Sequence, residues 1–164
     1  MAAAEIVLKE VPDAWFAIAG DGELRPELEV AIAKAGLKDR FKLLGWRRDV
    51  PELMWASDLL VLTSLWEGLP RVFPQAMSAG LAIVGTRVDG GPEAVVDDVN
   101  GWLLPPKDIE GIARRMIELL KDDEKRARMG RKGMEMVAEF DIHKMVRDQE
   151  QLYQRLLKEK KLWN

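Results

Sequence analysis

The densest chemistry in the chain lies in "LWEGLPRVFPQAMSAG", Leu65 to Gly80, where an acid, a glycine, two prolines and an arginine separate an apolar run from a run of small residues. A plain strand-to-helix connection needs only a turn and a cap, so these residues call for an explanation. Pro70 suits a helix start, where its missing N–H is one that would go unpaired anyway. Gly68 and Leu69 just before it can aim backbone amides at a phosphate. Glu67 would repel an anion and instead suits hydroxyl groups carried by the same ligand, such as those of a sugar. The structural alternative for Glu67 is a carboxylate that complements a helix dipole, worth about 0.3–1 kcal/mol.

Two further loops have related chemistry. In "AGDGELRP" Gly20 and Gly22 flank Asp21 just before a helix opens near Pro26, an arrangement that serves an anion or simply a tight turn. In "RVDGGPEAV" Gly90 and Gly91 make a turn, Pro92 suits a first helical turn and Glu93 complements its dipole. Three glycine-bearing loops together point to a phosphorylated small molecule.

These loops need rigid elements on either side. Short apolar runs at 14–20, 41–45, 58–64, 81–86 and 101–105 have the length and composition of strands. Between the first two, Leu24, Leu28, Ile32 and Ala35 fall on one helical face, with Gly36 as the C-cap. Strand–helix alternation with near-continuous apolar strands predicts an α/β, Rossmann-like doubly wound parallel sheet, in which ligands sit beyond the carboxyl ends of the strands. After Pro106 the pattern is helical. One apolar stripe runs from Ile109 to Ile117 and another from Ile142 through Met145, Val146, Leu152 and Tyr153 to Leu157, forming a helical C-terminal tail.

With 164 residues, 48% apolar and 32% charged, the chain has the composition of one soluble globular domain, 1–164. A net charge of −3 with dispersed Lys and Arg argues against nucleic acid as a partner. No cysteine is present, which removes disulfides and thiolate chemistry. The single histidine, His143, has no second histidine with which to share a metal. Neither a signal peptide nor an 18-residue apolar run is found, so a cytoplasmic protein is expected. The eight methionines sit mostly at helical apolar positions and are expected to pack.

Taken together, "VPDAWFAIAGDG", "KLLGWRRDVPELMWASDLLVLTSLWEGLP" and "GWLLPPKDIEGIARRM" resemble, in order and spacing, the C-terminal donor-binding domain of the family 4, or group 1, retaining glycosyltransferases of GT-B fold. The resemblance covers nearly the whole chain. It implies that Glu67, as catalytic candidate, faces the donor sugar, that the Gly68 and Leu69 amides meet the diphosphate, and that Gly20 and Gly22 lie near it. Trp46 and Arg47 would frame the base, and Gly90, Gly91 and Glu93 would line the same crevice. The family's second acid, which accepts from the nucleotide ribose, is here Gln75, whose hydrogen bond would lack charge assistance.

The resemblance also implies two missing parts. The family's domain opens with one more, central strand whose loop supplies an arginine and a lysine to the diphosphate. The N-terminal domain that holds the acceptor likewise has no counterpart. The expected function is therefore the donor half of a metal-independent, cofactor-free transferase. It would take a nucleotide-diphospho-sugar such as a UDP-, GDP- or ADP-sugar, and would be inactive alone. Partners would be a missing N-terminal domain, or a second copy held through the unpaired strand and the C-terminal helix. A non-catalytic nucleotide- or protein-binding module is the alternative. An epimerase or phosphorylase of the same fold ranks lower because no lysine can be assigned to a pyridoxal cofactor, and a dehydrogenase lower still, because no G-x-G-x-x-G follows the first strand.

Overall fold

The computed structural model describes residues 1–160. Its strands are β1 (Phe16–Ala19), β2 (Phe41–Gly45), β3 (Leu59–Leu62), β4 (Ala82–Thr86) and β5 (Gly101–Leu104). Its α-helices are α1 (Ala2–Glu10), α2 (Arg25–Lys34), α3 (Val50–Trp55), α4 (Val72–Ser78), α5 (Gly91–Ala94), α6 (Ile109–Lys121), α7 (Asp123–Met136) and α8 (Ile142–Glu159), with a short 3-10 turn, Val137–Phe140, ahead of the last. Each strand lies inside one of the apolar runs that predict it. Gly36 ends α2 at φ +69°, a left-handed cap that a glycine adopts without penalty.

All pairings are parallel, as the alternation predicts, but the strands form two sheets rather than one. β1 pairs with β2, Phe16 opposite Phe41. β4 lies between β3 and β5, with Leu59 opposite Ala82 and Ile83 opposite Gly101. Each of β1 and β3 therefore hydrogen-bonds on one side only. The consequence shows in burial: every residue of β4 is buried, β3 is half-buried throughout, and Ala17, Ile18 and Ala19 of β1 are exposed.

The three-stranded sheet is covered on both faces because successive side chains point to opposite sides. Ile83, Leu60 and Leu62 pack toward Phe73, Ala76 and Met77 of α4. Ala82, Val84, Leu59 and Val61 pack toward Val7 of α1, Met116 and Leu119 of α6 and Met129 of α7. The other sheet has a smaller core, with Phe41 against Ala4 of α1 and Ile32 of α2. Phe16 packs against both cores, and α1 supplies a residue to each, so α1 straddles the two sheets.

α6 and α7 are tied down by Trp102 of β5, whose ring lies 3.7 Å from the Arg115 guanidinium and 5.2 Å from the Lys125 ammonium. Glu118 joins those two cations at 2.6 Å each. The Ile112, Ala113 and Met116 part of the α6 stripe is buried, whereas Ile142, Met145, Val146, Leu152, Tyr153 and Leu156 of α8 are exposed. Asp141 caps α8 by accepting from the His143 and Lys144 amides.

Candidate functional site

The connection from β3 to α4 is held from the neighbouring β4–α5 loop by a chain of hydrogen bonds. Thr86, buried at the end of β4, donates its hydroxyl to the Ser64 carbonyl at 2.5 Å. The Ser64 hydroxyl donates to a Glu67 carboxylate oxygen at 2.7 Å. The Glu67 amide donates to Asp89 Oδ2 at 3.1 Å, and the Gly90 amide to the Gly68 carbonyl at 3.0 Å. Glu67 is thus oriented through one oxygen and its own backbone, which leaves its second oxygen to accept from a ligand.

The glycines in this lock have different roles. A Cβ at Gly90 would lie 2.8 Å from the Gly68 oxygen and 3.1 Å from Leu69 Cα, so the two loops touch only because Gly90 has no side chain. Gly91 has room, with Thr86 O at 3.6 Å, and Gly68 has no atom within 4 Å of the same point. The space over Gly68 is open. Among the described residues neither the Gly68 nor the Leu69 amide has a hydrogen-bond acceptor in the protein. Two adjacent free amides beside an oriented carboxylate are suited to an anion that carries hydroxyl groups.

Leu69, Gln75 and Glu93 line a common cavity of about 760 Å³ together with Arg71. The opposite wall is apolar and comes from α8, through Ile142, Met145 and Leu152. Within it, Asp148 and Glu139 are paired with Lys144 at 2.8 and 3.7 Å, which leaves Arg71 and Glu93 as the charged groups without an ion-pair partner among the described residues. That volume and that mix of an apolar wall with a few convergent polar groups are typical of small-molecule sites.

The other candidates lie on the two-stranded sheet. Gly20 and Gly22 line a separate cavity of about 220 Å³ at the end of β1, with Asp21 and Arg25. There the Gly20 amide donates to the Gly45 carbonyl, and Asp21 accepts from the Gly22 amide. Arg47 makes a two-pronged contact with Asp49, one arm at 2.7 Å. That hydrogen bond raises the Arg47 pKa above its ordinary value and lowers that of Asp49. Trp46 is exposed, with Arg48 over its ring at 5.1 Å.

So the structure gathers Glu67, Gly68, Leu69, Gln75, Gly90, Gly91 and Glu93 around the end of β3 and β4, and sets Gly20, Gly22, Trp46 and Arg47 around the end of β1 and β2. Sequence reasoning missed Thr86, Asp89 and Arg71, and the α8 wall. An Asp ahead of two glycines is a turn signal that could have flagged Asp89, which has φ +32°. Among the described residues no group of His, Cys, Asp or Glu could hold a metal ion, and no helix is long and apolar enough to cross a membrane.

Parallel strands alternating with helices, and strand-end loops that carry free amides and an oriented acid, define an α/β domain of doubly wound type. Residues 1–136 match the family model for glycosyl transferases group 1, and the chain belongs to that family. It is similar to the N-acetyl-alpha-D-glucosaminyl L-malate synthase of Bacillus anthracis, 35% identical over 91% of this chain and 39% of that protein. Among solved structures it is similar to Anabaena Alr3699/HepE in complex with UDP, with 29% identity, a TM-score of 0.80, and 93% of this chain and 44% of that one covered. It is also similar to the C-terminal domain of the group 1 glycosyl transferase family protein LpcC from Francisella tularensis, with 29% identity, a TM-score of 0.78, and 86% and 77% covered. The chain spans less than half the length of the curated relatives it matches. Its α/β architecture is that of the GT-B glycosyltransferases.

Proposed function

We propose that this chain is the donor-binding half of a retaining glycosyltransferase and holds a nucleotide-diphospho-sugar in the crevice beyond β3 and β4. The observation that carries this reading is the lock at the β3–α4 connection, with Glu67 oriented by Ser64 and the Gly68 and Leu69 amides left free. Glu67 accepts from sugar hydroxyls. The two amides hold the diphosphate, and Gln75, whose side chain lines the same cavity, accepts from the ribose. When the bond from the anomeric carbon to the diphosphate breaks and an acceptor oxygen replaces it, the departing charge grows beside fixed amides that need no reorganisation. No metal or cofactor takes part in this reading, and the setting is cytoplasmic. Transfer needs a second, acceptor-binding part, so the chain alone does not turn over. That a UDP complex is known for a relative of this fold supports the nucleotide class.

Calorimetric titration with UDP, GDP and ADP tests the reading. One of the three is expected to saturate, and Gly68→Val and Gln75→Ala to weaken it by about tenfold each, the equivalent of one hydrogen bond. Because a Cβ at Gly68 meets no protein atom within 4 Å, that variant reports ligand space, with circular dichroism checking that the fold is kept. A folded chain that binds none of the three sinks the proposal. The open edges of β1 and β3 and the exposed α8 stripe favour a second reading, a non-catalytic module derived from such an enzyme, which predicts protein binding without nucleotide binding.

A further inference from the structure

Asp21–Gly22, Asp89–Gly90 and Asn100–Gly101 are the places in the chain where an Asp or Asn directly precedes a glycine. At such a bond the glycine nitrogen can attack the side-chain carbonyl carbon of the residue before it and close a cyclic imide, because glycine has no Cβ to obstruct the approach. By residue type alone Asn100 comes first, since an amide is open to attack at neutral pH while a carboxylate must first be protonated. The structure reverses that order.

Asn100 is fully buried, and its side chain is held by the Val96 amide at 2.8 Å and the Ala94 carbonyl at 2.9 Å. A Cβ at Gly101 would lie 2.3 Å from the Ile83 oxygen, so the backbone there has no room to pucker into a ring. Asp89 is exposed, but both of its reacting groups are engaged. The Gly90 amide donates to the Gly68 carbonyl at 3.0 Å, and Asp89 Oδ2 accepts from the Glu67 amide at 3.1 Å. Asp21 is different. The Gly22 amide donates to Asp21 Oδ1 itself at 2.9 Å, one bond away from the carbon that the nitrogen would attack, and among the described residues it has no other acceptor. The Asp21 side chain is 54% exposed, and no atom lies within 4 Å of a Cβ built on Gly22. Reacting groups are thus held close together with room to close the ring, which is the proximity condition for an intramolecular step.

We propose that Asp21–Gly22 is a modification site, at which the folded chain converts aspartate to isoaspartate through a succinimide with water as the only co-reactant, and that the fold protects Asp89 and Asn100. The Gly22 nitrogen attacks Cγ of the protonated Asp21 carboxyl. The N–Cγ bond forms as a Cγ–O bond breaks, and the amide proton leaves with the hydroxyl as water. Water then adds to one of the two imide carbonyls and opens the ring. Opening at one carbonyl restores Asp21; opening at the other routes the main chain through Cγ and leaves a carboxylate on Cα. No electrons are exchanged, and the water lost is regained.

The product alters the loop. The main chain gains a methylene between Gly20, whose amide donates to the Gly45 carbonyl, and Gly22. The carboxylate that stands 3.9 Å from Arg25 moves from the side chain onto the backbone, so the contact at the first turn of α2 is lost. On the proposed donor reading, ageing at Asp21 therefore displaces the Gly20–Gly22 half of the crevice and leaves the Glu67 connection in place. Only this consequence rests on that reading.

The test is incubation of the chain in warm neutral buffer, folded and in urea, followed by peptide mapping. Isoaspartate is read by electron-transfer mass spectrometry and by methyl transfer with an isoaspartyl methyltransferase. In the folded chain Asp21 is expected to age within about threefold of its rate in urea, since no local opening has to precede attack. Asp89 is expected to age more slowly folded than in urea by at least about tenfold, the equivalent of one hydrogen bond that must open first. Asn100 is expected to be the fastest of the three in urea and silent in the fold. Gly22→Ala, whose Cβ has open space and whose backbone lies outside the left-handed region, is expected to remove most of the isoaspartate at Asp21 while keeping the circular dichroism of the parent. Equal rates at Asp21 and Asp89 in the folded chain, protection of Asp21 by folding, or undiminished ageing in Gly22→Ala would each overturn the proposal. Titration with UDP, GDP and ADP before and after ageing separates the two readings: aged chain is expected to bind about tenfold more weakly, the equivalent of one displaced donor. Fresh chain that binds no nucleotide would remove the donor reading and leave the modification site standing.

Discussion

Replacing Gly90 by alanine is the sharpest perturbation of the site. The backbone at Gly90 has φ −74° and ψ 1°, which alanine adopts freely, so the substitution acts through space and not through conformation. The new Cβ would sit 2.8 Å from the Gly68 oxygen and 3.1 Å from Leu69 Cα, both backbone atoms that cannot rotate away. Relieving the overlap means that the two loops separate by several tenths of an ångström. The Gly90-to-Gly68 hydrogen bond at 3.0 Å lengthens accordingly. Loss of most of one hydrogen bond costs about 1 kcal/mol, and overpacking adds about 1–3 kcal/mol. The sum, about 2–4 kcal/mol, lowers the melting temperature of a domain of this size by roughly 4–16 °C. Gly91→Ala is the matched control, because its Cβ meets nothing closer than 3.6 Å; it is expected to change stability by less than about 1 kcal/mol. Urea denaturation of both variants, followed by nucleotide titration under native conditions, decides the matter. Equal midpoints for Gly90→Ala and Gly91→Ala would refute the argument that contact between the two loops orders the Glu67 connection.

Two further expectations concern the scaffold. Asn100 is fully buried, accepts from the Val96 amide at 2.8 Å and donates to the Ala94 carbonyl at 2.9 Å, so Asn100→Leu strands two backbone groups and is expected to cost about 2–4 kcal/mol in urea unfolding. For Glu118, burial raises the pKa but hydrogen bonds from Lys125 and Arg115 outweigh it, and the net shift is below the ordinary 4.5. A carboxylate with a depressed folded pKa stabilises the fold above its unfolded value and loses that contribution as pH falls through the folded one. Unfolding free energy is therefore expected to drop as pH goes below about 4.5 in the parent, and to drop less in Glu118→Gln; parallel pH curves for the two would contradict the assignment.

The strands were legible because each lies in an apolar run of five to seven residues between turn signals, and hydrophobic pattern fixes that directly. What pattern does not carry is which strands share an edge. That β1 and β3 each lack a neighbour on one side is a non-local property, and their composition is that of buried strands whether or not a neighbour is present. The resemblance to a family with one more strand supplied the expectation that composition alone could not. At the site, Glu67 and Gly68 could be singled out from residue type and position. The difference between Gly90, which touches a neighbouring loop, and Gly91, which does not, could not be read from two identical letters. Arg47 shows the same limit in charge: the family resemblance implies a ligand contact, while its guanidinium is engaged by Asp49 two residues on. The α8 stripe was legible as apolar, and its exposure goes with the open cavity that separates Ile142, Met145 and Leu152 from the β3–α4 connection.

The tryptophans give the molecule an unusual optical character. Trp15, Trp46, Trp55 and Trp66 are all more than half exposed, while Trp102 lies between two cations. Among the described tryptophans, native emission therefore already comes largely from indoles bathed in water, and their unfolding has little red shift left to produce. Under the proposed donor reading, the same arrangement makes the light sensitive to occupancy. Trp66 adjoins Glu67 on one sheet and Trp46 sits beside Arg47 on the other, so each half of the crevice has its own chromophore, and replacing either tryptophan with phenylalanine would separate their signals.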